Sequence, residues 1–148
     1  MTEPIKAAVA QFEARDGGKQ HNLDIIEELS ARAARQGAHL VLFHELSVTG
    51  YTFLENLSRE QTLELSEPVP GGDSLNRLQN LARSLGILIS AGVVEREGGH
   101  LYNCQVVVSG EGLLAKHRKI HEFVSPHLTC GDRHTVFDAL GLRFGMLT

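Results

Sequence analysis

The chain contains no tryptophan, only two cysteines and four prolines, and aromatic residues make up 5% of its 148 positions. The cysteines, Cys104 and Cys130, cannot form a disulfide framework and do not have metal-ligand spacing. Neither a metal site nor a disulfide-stapled secreted scaffold is expected, and a reducing cytoplasm is the simplest setting. A single bond between the two thiols stays open. No apolar stretch approaches the roughly 20 residues needed to cross a bilayer. The N-terminus lacks a basic region followed by an apolar block, so a secretory leader is not expected. Positive charge is not in excess either. A formal charge of −4 and a pI near 6.0 argue against a broad nucleic-acid footprint, which needs a basic face. Membrane and nucleic acid are therefore not expected partners.

What the chain does have is core-forming material. With 42% hydrophobic and 22% charged residues, positions 1–148 can bury a core and fit within one domain. Ile5 to Phe12 reads as a mostly buried strand. From Asn22 the period changes. Leu23, Ile26, Leu29, Ala33 and Ala34 fall at helical spacing, with charges opposite them and Gly37 at the stop. His39 to Phe43 is a second apolar strand. A strand, a helix and another apolar strand form the unit that sets two strands parallel in one sheet.

A long connection from Ser47 to Gly72 holds a short helix at Arg59 to Leu65. Asp73 or Ser74 is then positioned to cap a helix carrying Leu75, Leu78, Leu81, Ala82 and Leu85 on one face, ended by Gly86. Ile87 to Val94 predicts a third strand, Glu95 to His100 a hairpin turn, and Leu101 to Ser109 a fourth strand. Gly110 to Gly112 turns into Leu113 to Lys119. Thr135 to Asp138 then pairs with Arg143 to Leu147 around Leu140-Gly141. Helix crossovers early and hairpins late give an α/β protein of mixed sheets with helices on their outer faces. The last strand needs neighbours on both faces, so the chain reads as part of a larger domain.

Two residues carry candidate chemistry. Glu45 follows an apolar run at the carboxyl end of a parallel strand, where α/β sheets place ligand sites. It is either a general base or a solvated strand-end carboxylate. Lys119 ends another strand, inside the only dense basic cluster, Lys116, Arg118 and Lys119. It is either a stabiliser of a tetrahedral oxyanion or part of a solvated strand end.

Phe43-His44-Glu45-Leu46-Ser47-Val48-Thr49-Gly50-Tyr51 resembles the F-P-E-L-x-x-T-G-Y segment of the carbon–nitrogen hydrolase (nitrilase) superfamily. His117-Arg118-Lys119-Ile120-His121 resembles its Y-R-K-x-H segment. Pro70-Gly71-Gly72, Gly92, Tyr102-Asn103 and Gly131-Asp132 are similar to the family in the same order, from Ile5 to Thr148. The resemblance implies an αββα four-layer sandwich, of which this chain is about the N-terminal half. It also implies a Glu-Lys-Cys triad in which Glu45 is the base and Lys119 holds the anion. Gly141 to Thr148 matches the strand that presents the cysteine, which is expected directly after Thr148. Neither Cys104 nor Cys130 stands at that position.

The implied activity is hydrolysis of non-peptide carbon–nitrogen bonds through a thioester. The resemblance is strongest on the amidase and N-carbamoyl amidase side, with a small-molecule amide or N-carbamoyl substrate, no cofactor and a homo-oligomeric assembly. Nitriles are the other substrate class. A different class also stays open: an inactive binding or subunit piece lacking the nucleophile. Two positions depart from the pattern. His44 replaces the usual proline, as a partner of Glu45 or a tolerated change. A second family glutamate aligns near Pro126, with Glu122 earlier in the same loop.

Overall fold

The computed structural model describes residues 4–148. In chain order the elements are β1 (Ala7–Ala10), α1 (Lys19–Arg35), β2 (Leu40–Phe43), a 3₁₀ turn (Thr52–Asn56), α2 (Arg59–Leu65) and α3 (Asp73–Leu85). They continue with β3 (Leu88–Glu97), β4 (His100–Ser109), β5 (Gly112–Arg118), β6 (Thr135–Ala139) and β7 (Leu142–Met146). A five-stranded sheet has the order β1-β2-β3-β4-β5, and β6-β7 form a separate two-stranded ribbon.

The pairing follows from the connections. Helix-containing crossovers make β1, β2 and β3 parallel, and hairpins make β4 antiparallel to both β3 and β5. Strand β5 therefore runs in the same direction as β2. This is the fact that builds the site, because residues just past β2 and just past β5 emerge at the same edge of the sheet.

The period-2 alternation of the strands sorts their side chains into two layers. Val41, Phe43, Ile89, Ala91 and Val106 face Leu23 and Ile26 of α1 and Leu75 and Leu78 of α3. Leu40, Leu88, Val107 and Ala115 face the other way, under Phe137, Phe144 and Met146 of the ribbon. The Phe137 and Phe144 rings stack with centroids 5.2 Å apart. A third cluster sits at the sheet edge, where Leu46, Leu54, Val124 and Leu128 pack on Val94 and Leu101. It ties the loops after β2 and β5 to the β3–β4 hairpin. Among the described residues no helix is long and apolar enough to cross a membrane.

Several sequence expectations are corrected. The first strand is shorter than Ile5 to Phe12, and as the sheet's edge it leaves Val9 85% exposed. Helix α1 starts before Asn22, and the buried Asn22 instead bonds Arg15 and the Val48 carbonyl through its side chain. Neither Asp73 nor Ser74 caps α3. The cap position is Gly72, and the Glu67 carboxylate accepts from the Ser74 N–H at 2.8 Å and hydroxyl at 2.7 Å. An external carboxylate at a helix N-terminus answers both the orphan donors and the dipole. The hairpin turn is confined to Gly98-Gly99, both at positive φ, because β3 continues through Glu97. Glu95, read as a turn residue, is fully buried.

Candidate active site

Glu45 stands two residues past β2, at the start of a tight turn held by local geometry. Leu46 adopts φ 49°, and Gly50, at φ 89°, donates its N–H to the Leu46 carbonyl at 2.8 Å. The turn rests on β3. Val48 N–H donates to the Gly92 carbonyl at 3.0 Å, and Gly92 N–H donates to Ser47 Oγ at 3.1 Å. A Cβ on Gly92 would lie 2.1 Å from the Leu46 nitrogen, so only glycine lets the turn approach this closely.

Lys119 stands one residue past β5. Its N–H donates to the Asn103 carbonyl at 2.9 Å, and its carbonyl accepts from Gly131 N–H at 2.7 Å. A Cβ on Gly131 would meet the Arg118 carbonyl oxygen at 2.2 Å. Glycine is required there for the same reason as at position 92.

Across 74 positions of sequence, Lys119 Nζ donates to Glu45 Oε1 at 2.6 Å. Asn103 Nδ2 donates to the same oxygen at 2.5 Å. Tyr51 Oη lies 3.5 Å from the ammonium, and the rings of Tyr51 and Phe123 flank it with centroids 5.4 and 4.8 Å away. Burial alone would lower the Lys119 pKa, but the hydrogen bond and charge of Glu45 outweigh it and hold it above the ordinary lysine value. Burial and the Glu45 charge push the Tyr51 phenol up. The site thus pairs a carboxylate with a firmly protonated amine, half-enclosed by aromatic rings. Such a pair can accept a proton on one partner and stabilise an oxyanion with the other.

Both residues singled out from sequence therefore meet. The rest of the basic cluster is not a solvated strand end. Arg118 grips the buried Glu95 with two bonds at 2.7 and 2.8 Å, Lys116 donates to the same carboxylate, and the guanidinium stacks 3.8 Å over the Tyr102 ring. His44 is turned away from the Glu45 carboxylate. Its Nδ1 lies 3.2 Å from the Glu45 carbonyl oxygen, and its ring meets Phe12 edge-on at 5.0 Å. Glu122 caps its own loop, accepting from the N–H groups of Phe123 and Val124 at 2.9 and 2.8 Å. The thiol of Cys104 is buried on the helix side, where burial and the Glu95 charge push its pKa far up. Cys130 is exposed in the loop beside Gly131. Among the described residues no group of three or more His, Cys, Asp or Glu could hold a metal ion. A cavity between the sheet and the ribbon is lined by Glu45, Ser90, Gln105, Phe137, Phe144 and Thr148.

Sequence reasoning missed Asn103 as a member of this cluster. The available signal was the Tyr102-Asn103 pair that resembles the family, an amide inside a largely apolar run that also holds Gln105.

A mixed α/β sheet thus carries a partly exposed carboxylate in contact with a buried ammonium where β2 and β5 end. Residues 6–148 match the family described as carbon-nitrogen hydrolase, and the chain belongs to that family. It is 38% identical over 119 residues to a nitrilase of Pyrococcus abyssi, covering 80% of this chain and 44% of the relative. It is 33% identical over 141 residues to an omega-amidase of Xenopus tropicalis, covering 86% of this chain and 49% of the relative. A solved structure of a variant amidase from Nesterenkonia sp. AN1, with acrylamide added at its active-site cysteine, superposes with a TM-score of 0.77 at 26% identity. That match covers 97% of this chain and 57% of the amidase. The fold is the α/β fold of carbon–nitrogen hydrolases, and the chain spans about half the length of the relatives it matches.

Proposed function

We propose that the full-length protein hydrolyses amides or N-carbamoyl compounds, with Glu45 as general base, Lys119 as oxyanion stabiliser and a cysteine directly after Thr148 as nucleophile. The observation that carries this reading is the 2.6 Å contact of Lys119 Nζ with Glu45 Oε1 beside a cavity that Thr148 also lines. Glu45 takes the thiol proton, and the thiolate forms a bond to the carbonyl carbon. The carbonyl electron pair moves onto oxygen, where the Lys119 ammonium stabilises it. The carbon–nitrogen bond then breaks, and nitrogen departs as ammonia or an amine with the proton returned by Glu45. A water molecule gives a proton to Glu45 and attacks the thioester. The carboxylic acid, or carbamic acid from a carbamoyl substrate, leaves as the thiol regains its proton. Because the nucleophile is a thiolate and the anion is met by an amine, these steps draw on no cofactor. We further propose a homo-oligomer as the working assembly.

The nearness to a nitrilase, at 38% identity, makes nitriles the second substrate class. An ammonia-release screen of the full-length protein over amides, N-carbamoyl amines and nitriles separates the two, with its mass measured in solution. Release from amides or N-carbamoyl amines is the expected result, and turnover of nitriles alone overturns the substrate assignment. Glu45→Gln and Lys119→Ala should each lower turnover by a factor of about 100 or more while the protein stays folded. Any residue other than cysteine after Thr148 in the gene removes the nucleophile and favours an inactive binding subunit.

A further inference from the structure

Asn103 does more than fill β4. It is 1% exposed and lies opposite the buried Val94 in the strand ladder, where an amide is costly unless its polar atoms are bonded. Its Nδ2 and Lys119 Nζ converge on one oxygen of Glu45, at 2.5 and 2.6 Å. Glu45 Oε2 accepts no bond from the described residues. The terminal torsion of a glutamate is broad and roughly two-fold, so one donor leaves the two oxygens nearly interchangeable. Two donors from different strands fix the carboxylate plane and distinguish its oxygens.

We infer that Asn103 is the positioning residue that ties down Oε1 of Glu45 and leaves Oε2 as the atom that exchanges protons with the nucleophile and water. The inference rests on the hydrolytic reading above. Asn103 acts on both halves of the pair, since its main-chain carbonyl accepts the Lys119 N–H at 2.9 Å while its side chain holds Glu45. The separation of base and ammonium is thereby set through a single residue of β4. The chemistry calls for an amide. It donates to the charged carboxylate without adding a second cation that would compete with Lys119, or a second anion that would favour protonation of the base.

The test uses the full-length protein, butyramide as the probe, and ammonia release followed across a pH series. Asn103→Leu should lower kcat about 100-fold with little change in KM, because a base that rotates away loses transition-state rather than ground-state contacts. Asn103→Asp has the same size and packing. Its added negative charge should move the acid limb of kcat/KM up by about one pH unit. The charge alone moves that limb, so the role of Asn103 is read in the plateau kcat, which falls when the N–H donor is lost and stays at the wild-type value if Asn103 is merely structural. If Asn103→Leu does not fold, Asn103→Asp decides alone, and a wild-type plateau kcat in Asn103→Asp overturns the inference. Glu45→Gln separates the two levels. An inactive Glu45→Gln beside a wild-type-like Asn103→Asp sinks only the role of Asn103. An active Glu45→Gln, or no ammonia release by the wild-type protein from amides, N-carbamoyl amines or nitriles, sinks the hydrolytic reading and this inference with it.

Discussion

Glu45 and Glu95 are both carboxylates held by a strand-end cation, yet their surroundings suit them to different tasks. Glu95 is fully buried and both of its oxygens are bound, one by Arg118 Nε and the other by Arg118 Nη2 and Lys116. Burial alone would raise its pKa. The Arg118 and Lys116 hydrogen bonds prevail and hold it below the ordinary carboxylate range. Fully buried and paired in this way, Glu95 is out of reach of a substrate, and its contribution is to stability. A carboxyl group whose folded pKa lies below its unfolded value stabilises the fold above the unfolded value, and that contribution is lost as pH falls through the folded value. Glu95→Gln should therefore lower stability near neutral pH and flatten the acid side of the stability–pH curve, below about 4.5. We expect a loss of about 2–3 kcal/mol, below the roughly 3–5 kcal/mol usual for breaking a buried pair, because Lys116 and Arg118 keep Glu97 as a partner and can turn to water. Urea midpoints across a pH series measure both effects. An unchanged acid limb in the variant would remove Glu95 from this role.

At the scale of elements, the decisive contact lies between β3 and the turn after β2. Gly92 was legible in the sequence only as part of a family resemblance. Its reason emerges when the turn is laid on the strand and the Leu46 nitrogen occupies the space of a side chain. Gly92→Ala cannot be relieved by a rotamer change, since its Cβ would run into the Leu46 backbone. It should displace Glu45 from Lys119 and Asn103, lowering kcat in the proposed reaction by about 100-fold. A crystal structure of the variant with Glu45 unmoved would refute that chain of cause. The helices and hairpins were readable from period and punctuation, as α2 and the body of α3 illustrate. The α3 cap was not, because its donor-satisfying carboxylate is Glu67, outside the helix and across a proline-glycine bend. Glu95 was misread for a related reason. Charged residues beside glycines look like a turn until the opposite charges arrive from β5.

For the whole molecule, the question is how the ribbon is held on the sheet. Phe137, Ala139, Phe144 and Met146 bear on Leu40, Leu88, Val107 and Ala115, and this layer also forms a wall of the cavity at Glu45. Phe144→Ala removes a ring from the contact and unstacks Phe137. It should cost about 3 kcal/mol, the lower end for such truncations because the ring is only partly buried. Denaturant unfolding of the full-length protein measures it, and a loss below about 1 kcal/mol would show that the ribbon is held by other contacts.

The sequence by itself determined the kinds of element and the order of early crossovers and late hairpins, which follow from local rules of hydrophobic period and glycine punctuation. Glu45 and Lys119 it offered only as alternatives, joined in one site by the family resemblance. Only the tertiary structure decided which oxygen of Glu45 is held, that Asn103 holds it, that Lys116 and Arg118 serve Glu95, and that His44 and Glu122 turn to their own backbone. The first three of those outcomes depend on hydrogen bonds of 2.5–2.8 Å between residues tens of positions apart. Such distances are set by strand direction and register across the sheet, which a single stretch of sequence does not contain.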